Sequence, residues 1–378
     1  MKRALMLASV ASMIDQFNMC NIELLQKCGY KVDVACNFID GNTCSPERIS
    51  DLKRRLIEMN VEFYQVDFAR NVFKLNQHIS SYKQVSKIMK NRYDLVHCHS
   101  PIGGLICRLV GKKYRKKGTQ IIYTAHGFHF YEGAPLKNWM IYYPIEKMCS
   151  RYTDILITIN KEDYLLAQNK MKAKNVVYIP GVGIDTSKFA DAIVDKSEYR
   201  KNIGIPEDAF MLMSVGELNA NKNHEAVIRA IAELNECQIH YVIVGKGELK
   251  NYLEELAQEL GISERLHLLG FRTDVAQLYK AADCFIHPSK REGLPVAVME
   301  AMASGLPVIA SKIRGNSDLI DEAQLFDLSM PSEIPCLIEK MYADITYRES
   351  VGEKNADKSN RYSRNEIGDC MEHLYEQC

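Results

Sequence analysis

Along the first 180 residues, short runs dense in Val, Ile, Leu and Met ("ALMLASV", "KVDVAC", "VEFYQVDF", "DLVHCH", "QIIYTAH", "DILITIN") alternate with longer segments of helical periodicity. Continuous apolar runs of this length predict strands buried on both faces, and their alternation with helices predicts parallel sheets. A stretch punctuated by Gly and Pro, "IPGVGIDTSKF", follows near residue 180. The alternation then restarts with "AFMLMSVG", "IHYVIVG", "RLHLLG", "CFIHPS" and "LPVIAS". The expected architecture is α/β: two Rossmann-like doubly wound domains, residues 1–180 and 181–378, joined at about 181–190. They are expected to face each other across a cleft, with the last helix packing back on the front domain. A length of 378 residues agrees with two cores rather than one.

Ligands of such sheets bind outside the carboxyl ends of the strands, so the loops after each strand carry the chemistry. No G-x-G-x-x-G follows the first strand and no P-loop occurs, which argues against a nicotinamide oxidoreductase and a P-loop nucleotidase. In "REGLPVAVMEAMASGLPVIAS" (291–311) a strand exit meets a helix predicted to begin with Pro295 at its first position and to stop at Gly305. The free N–H groups of that helix start suit an anion such as a diphosphate. Two glutamates bracket it. Carboxylates would repel phosphates, so Glu292 and Glu300 are better suited to accept hydrogen bonds from hydroxyls on either side, a sugar and a ribose. A helix-end acid plus a surface glutamate would explain the same pair.

Composition and charge narrow the class. With 47% apolar and 25% charged residues the chain reads as globular. The opening "MKRALMLASVASMIDQF" imitates a secretory leader, but the run is short and Asp15 follows closely, so a buried first strand is expected. No uncharged apolar run approaches the ~18 residues of a membrane span. Cys20, Cys28, Cys36 and Cys44 recur every eight residues without a C-x-x-C pair and suggest a reducing cytosol rather than a disulfide or zinc framework. His97 and His99 of "HCH" are expected as a strand-end pair lining the cleft rather than as metal ligands. Net charge is zero, yet residues 1–180 carry 27 Lys and Arg against 15 Asp and Glu, a balance of +12, with −12 in the remainder. A basic front half favours an acidic partner such as phosphates or an anionic membrane. Within it, "GLICRLVGKKYRKKG" (104–118) predicts a helix with an apolar face of Leu105, Ile106, Leu109 and Val110 and a cationic end.

"SVGELNANKNHEAVIRAI", "LHLLGFRTDVAQLYKAADCFIHPSKREGLPVAVMEAMASGLPVIAS" and "TAHGFHFYEGAPLKNWMIYYPIEKMCSRYTDILITINKEDY" together cover much of the chain. They resemble family 4 glycosyltransferases, retaining enzymes of the GT-B fold, and in particular bacterial members that build capsule, exopolysaccharide or lipid-linked oligosaccharide. The resemblance implies transfer of a sugar from a nucleoside diphosphate sugar, a UDP-sugar such as a UDP-N-acetylhexosamine, to a polyprenyl diphosphate-linked glycan. It implies catalytic roles for Glu292 on the donor sugar, Lys222 on the leaving diphosphate and His126 from the front domain. Glu300 would hold the ribose, backbone near Gly293, Leu294 and Gly216 would meet the diphosphate or sugar, and backbone at Phe271 and Arg272 would face the base. No cofactor, metal or nucleic acid is expected, and the location expected is cytoplasmic, on the inner face of the plasma membrane. Oligomeric state is left open. Two departures stand out: Glu217 follows Gly216 where relatives carry Arg, and Ser12 and Met13 replace first-loop glycines. A sugar nucleotide epimerase and a non-catalytic binding subunit are the alternatives.

Overall fold

The computed structural model describes residues 1–69, 71, 73–234 and 236–378. The chain divides into two compact units, Met1–Val182 together with Ile367–Cys378, and Gly183–Glu366. The last twelve residues hold three acids and no Lys or Arg, so the first unit carries +9 and the second −9.

The first unit is built on seven strands: β1 (Lys2–Val10), β2 (Tyr30–Asn37), β3 (Glu62–Gln65), β4 (Leu95–His99), β5 (Gln120–Ala125), β6 (Ile155–Thr158) and β7 (Asn175–Tyr178). Their order is β3-β2-β1-β4-β5-β6-β7 and every pairing is parallel. The stretch that imitates a leader is the inner strand β1, where Ala4, Met6 and Ala8 pack on one face while Leu5 and Leu7 pack on the other. Burial on both faces is why it reads as a continuous apolar run. Edge strand β7 was not anticipated: its Asn175 is exposed and the other three residues are half-buried, too weak a pattern to stand out.

The second unit repeats the plan with β8 (Phe210–Val215), β9 (Ile239–Val244), β10 (Leu266–Gly270), β11 (Cys284–His287), β12 (Val308–Ser311) and the two-residue β13 (Leu325–Phe326), also unanticipated. The order is β10-β9-β8-β11-β12-β13, again parallel. In each sheet the chain reverses direction of winding once, between β1 and β4 and between β8 and β11. The carboxyl edge beside such a reversal is where ligands of doubly wound sheets sit.

The helix that follows β11 spans Val296–Ala303, one residue later than expected, with Pro295 as its N-cap rather than its first helical residue. Pro295 has extended ψ of 117°, so it turns the chain into the helix without joining it. Val298, Met299, Ala301 and Met302 are buried, and Gly305 at φ +80° ends the helix in the left-handed region that glycine tolerates. In the helix Pro101–Arg115 the expected apolar face is narrower than its sequence suggests. Ile106 and Val110 are buried, but Leu105 and Leu109 are only half-buried, and Arg108 takes the interior place, 0% exposed. Its guanidinium lies 3.8 Å from the Tyr123 ring centre and donates two hydrogen bonds to Glu146.

Candidate active site

At the carboxyl ends of β8 and β11 in the second unit, two loops are stitched together by their own polar groups. After β8, the Asn219 side-chain oxygen accepts from the N–H groups of Asn221 and Lys222 at 3.0 Å each, folding the loop back on itself. Asn221 then holds the loop after β11, accepting from Lys290 N–H at 2.8 Å and donating to the Arg291 carbonyl at 3.0 Å. Gly216 keeps a path clear for Lys222, because a Cβ there would lie 3.1 Å from the lysine stem. Behind it, a Cβ on Gly245 would lie 1.8 Å from the Gly216 carbonyl oxygen, so the two strand exits approach as closely as backbones can.

This framework brings Lys222 Nζ to 2.7 Å from Glu292 Oε1. The same carboxylate oxygen lies 3.2 Å from His287 Nε2, and that nitrogen is 3.1 Å from Ser289 Oγ. Burial alone would raise the Glu292 pKa. The His287 hydrogen bond and the Lys222 charge outweigh it and hold the carboxyl down at about 2. His287 itself is pushed down, chiefly by burial. Arg314 Nε donates to the Glu292 carbonyl at 3.1 Å, and Gly315, at φ +81°, passes so close to Gly293 that a Cβ would meet its oxygen at 2.5 Å.

Glu300, in the second turn of the helix, lies in a different environment. Burial pushes it up to about 7, opposed by the Tyr279 hydroxyl at 3.4 Å and by the Lys188 charge. The two glutamates are therefore unlike groups: one is fixed as an anion, the other poised near neutrality. Leu294 is buried and Gly293 half-buried at the helix entrance, where no side chain caps the first turn. Phe271 is exposed, and Arg272 bonds Asp274 and the Tyr199 hydroxyl rather than joining the Lys222–Glu292 cluster.

His126 belongs to the first unit, at the carboxyl end of β5. Its Nε2 is 3.1 Å from Nδ1 of His99, whose ring lies 4.2 Å from that of His97. His97 is bonded on both nitrogens, to Tyr375 and Thr124 at 2.8 Å each. Neither His97 nor His99 lines an opening, as the sequence had suggested: they are 0% and 2% exposed. Burial drives His97 down to about 3 and His126 to about 4, and lowers His99 as well, so all three are neutral at physiological pH. His99 Nε2 has no hydrogen-bond partner. Among the described residues no three His, Cys, Asp or Glu side chains converge to hold a metal ion. Sequence reasoning missed His287, Ser289, Arg314 and the His99–His126 contact. The "CFIHPS" strand end and the "HCH" motif were the available signals.

Family models match both halves of the chain: "Glycosyl transferases group 1" over residues 195–358 and "Glycosyl transferase 4-like" over 6–160. The Bacillus subtilis (strain 168) protein named "Putative glycosyltransferase EpsD" is 33% identical over 382 residues, covering 99% of this chain and 96% of EpsD. The UDP-Gal:alpha-D-GlcNAc-diphosphoundecaprenol alpha-1,3-galactosyltransferase of Escherichia coli is 32% identical over 266 residues, 68% of each chain. Among solved structures, Anabaena HepE in complex with UDP and glucose aligns over the whole of both chains with a TM-score of 0.78 at 20% identity. WaaG, a glycosyltransferase of lipopolysaccharide biosynthesis, gives 0.73 at 18%, over 98% of this chain and 99% of WaaG. Two parallel-sheet units, a polar cluster at the second unit's winding reversal, and a full-length relative one-third identical lead to one conclusion: this chain is a glycosyltransferase, of the group 1 and 4-like family, with the GT-B fold.

Proposed function

We propose that the protein transfers a sugar, with retention, from a UDP-sugar (a UDP-hexose or UDP-N-acetylhexosamine) to a polyprenyl diphosphate-linked glycan in bacterial surface polysaccharide synthesis. The observation that carries the reading is the Lys222–Glu292 pair at the uncapped entrance of the helix Val296–Ala303. A cation and free helix N–H groups suit a diphosphate, and a carboxylate locked as an anion suits the hydroxyls of the attached sugar. Glu300, one turn further, takes the ribose hydroxyls, and His126 of the first unit is assigned a role in turnover. The first unit receives the acceptor, at the cytoplasmic face of the plasma membrane. Support for donor and acceptor class comes from the relatives: HepE is described with UDP, and the Escherichia coli enzyme is named for UDP-Gal and a diphosphoundecaprenol-linked acceptor. That enzyme's α-linked product from the ordinary α-anomer of UDP-Gal agrees with retention.

In the reaction the bond from the anomeric carbon to the diphosphate oxygen breaks, and its electron pair leaves with the diphosphate. The acceptor hydroxyl oxygen bonds the same face of the carbon, and its proton passes to a diphosphate oxygen. Retaining glycosidases instead place two carboxyl groups about 5–5.5 Å apart, one as nucleophile. Here the held anion Glu292 orients the sugar, while Lys222 and the helix start stabilise the charge that grows on the leaving group, which is the main catalytic contribution. This neutralisation needs no metal, so turnover should survive EDTA. The deciding experiment incubates the purified protein with a panel of UDP-sugars, with and without polyprenyl diphosphate-linked glycan, and reads product anomeric configuration by NMR. An α-linked product supports the proposal. A β-linked product removes retention, a new donor isomer without acceptor makes the protein an epimerase, and binding without turnover makes it a carrier.

A further inference from the structure

Two histidines at the carboxyl edge of the first unit's sheet are tied to each other, and the tie decides what one of them can do. His126 follows β5, whose last residue, Ala125, pairs with Thr158 of β6. The chain turns away at Gly127, φ +132°, and is pinned again at Phe128, whose N–H donates to the buried Asp163 carboxylate at 2.9 Å. With the backbone held on both sides, only the side-chain rotations of His126 remain, and His99 removes them. Its Nδ1 lies 3.1 Å from His126 Nε2. Nδ1 of His126 makes no hydrogen bond among the described residues and is not one of their enclosed unpaired atoms. On this half-buried residue it is therefore the nitrogen left to a ligand.

Three features set His99 apart from a histidine that merely fills the core. It is buried, yet its Nε2 has no partner, so its own hydrogen bonding does not account for its place. Its one side-chain hydrogen bond is the one with His126. The next residue, Ser100, has φ +67° and ψ 148°, a left-handed conformation that residues other than glycine adopt only at a cost. Backbone strain of this kind persists where the surrounding structure holds a functional group in place. His99 is in turn backed by the ring of His97, which Tyr375 and Thr124 clamp from both nitrogens. The orientation of His126 is thus fixed through two buried rings.

A neutral imidazole carries one N–H and one lone pair, so a single hydrogen is shared between His126 Nε2 and His99 Nδ1. Whichever ring donates it, Nδ1 of His126 is left with one role, donor or acceptor, rather than both. We propose that His99 is a positioning residue of this enzyme: by holding Nε2 it locks the His126 ring, so that His126 meets a substrate hydroxyl through Nδ1 alone and in one tautomer. A free ring would have to be ordered each time substrate binds, whereas a locked one is preorganised. His99 is enclosed and touches no substrate, so its loss acts through His126. The substrate part of this statement rests on the proposed transfer reaction; the locked ring does not.

The full-length protein, isotope-labelled in its histidine rings and read by imidazole nitrogen NMR, reports the lock without any turnover. In the wild type His126 should show one protonated and one bare nitrogen, and in His99→Leu the two should average as in a free imidazole. Turnover is then measured on four variants, all expected to keep far-UV circular dichroism and UDP affinity. His99→Leu should lower kcat about tenfold with donor KM within about twofold, and His99→Asn, whose amide takes the place of Nδ1, should recover most of the loss. His126→Asn, which keeps a polar group at the place of Nδ1, should retain about tenfold more turnover than His126→Gln, which keeps one at the place of Nε2. If His99→Leu fails to fold, the comparison of Asn with Gln at His126 decides alone. Averaged His126 nitrogens in the wild type, full turnover in a folded His99→Leu enzyme, or more turnover in His126→Gln than in His126→Asn overturns the proposal. A single His126 tautomer in a protein that transfers no sugar leaves the lock standing and removes the transfer reading.

Discussion

Replacing Lys222 by Ala perturbs two things at once, and the structure separates them. The first is the leaving group. If Lys222 stabilises the departing diphosphate as a preorganised charge, its loss should cost on the order of 2–4 kcal/mol in kcat/KM, roughly 30- to 1000-fold. The second is Glu292, which would be left with His287 alone. With the Lys222 and Glu292 side chains 21% and 16% exposed, the pair is partly screened. Breaking it should cost about 1–3 kcal/mol of stability, less than the 3–5 of a dry ion pair. The double variant Lys222→Ala with Glu292→Gln removes the stranded charge. It should regain most of the stability and none of the activity. Urea unfolding and steady-state kinetics on the four proteins of the cycle test both parts. An Lys222→Ala enzyme with wild-type kcat/KM would show that something else holds the diphosphate. Single-variant stability losses that simply add in the double variant would show that the pair is not coupled.

Other consequences follow from the same geometry. If Glu300, raised to about 7 by burial, holds the ribose hydroxyls as a carboxylate, donor KM should fall about tenfold from pH 6 to 8, and Glu300→Gln should flatten that profile. Because its folded pKa lies above the ordinary 4.5, Glu300 lowers stability as pH rises from 4.5 through about 7; at pH 8 Glu300→Gln should be more stable than wild type by on the order of 1–3 kcal/mol in thermal or urea unfolding. His126→Ala should lower turnover with little change in UDP affinity, and His99→Leu should lower turnover only while His126 is present. Additive losses would separate the two histidines. Gly245→Ala, whose methyl would overlap the Gly216 carbonyl, should cost about 1–3 kcal/mol and displace Lys222, giving a parallel fall in kcat/KM; unchanged kinetics would mean the two strand exits are not held as tightly as drawn.

The inner strands were legible because a strand buried on both faces is largely apolar, as β1, β4, β8 and β9 are despite the buried His97, His99, Ser214 and His240. The edge strand β7 is only half-buried and β13 is short, so their four and two residues carry little periodic signal. Glu292 and Lys222 were each legible as residues of strand-exit loops, and Glu300 as a residue of the helix that follows one. Their relationships were not. Lys222 and Glu292 are 70 positions apart and meet only because β8 and β11 are neighbours in the sheet, a fact of topology that no local pattern encodes. His287 and His99 are each the last residue of a strand, where a buried polar side chain looks the same in sequence whether it supports a site or merely satisfies itself. Arg108 is the reverse case, a cation that no sequence pattern marks as interior and that Glu146 and Tyr123 enclose.

The ion pair also answers why a glutamate stands where an anion is to bind. Lys222 sits just before the helix His224–Leu234, whose first turn carries partial positive charge, so an unpaired cation there is unfavourable. Glu292 supplies the missing negative charge in the ligand-free protein, and His287 keeps it ionised. In the proposed complex the diphosphate brings its own negative charge to Lys222, which frees Glu292 to accept from the sugar hydroxyls that arrive with it. The exchange is selective, because a free diphosphate would release Glu292 without giving it a hydroxyl partner, leaving a half-buried carboxylate uncompensated. The intact nucleotide sugar should therefore bind more tightly than the nucleotide alone by more than its sugar contacts would suggest, and Glu292→Gln should narrow that preference. Calorimetry with UDP and with the intact donor, on both proteins, measures the difference. If Glu292→Gln leaves the ratio of the two affinities unchanged, Glu292 does not sense the sugar and its place beside Lys222 is structural.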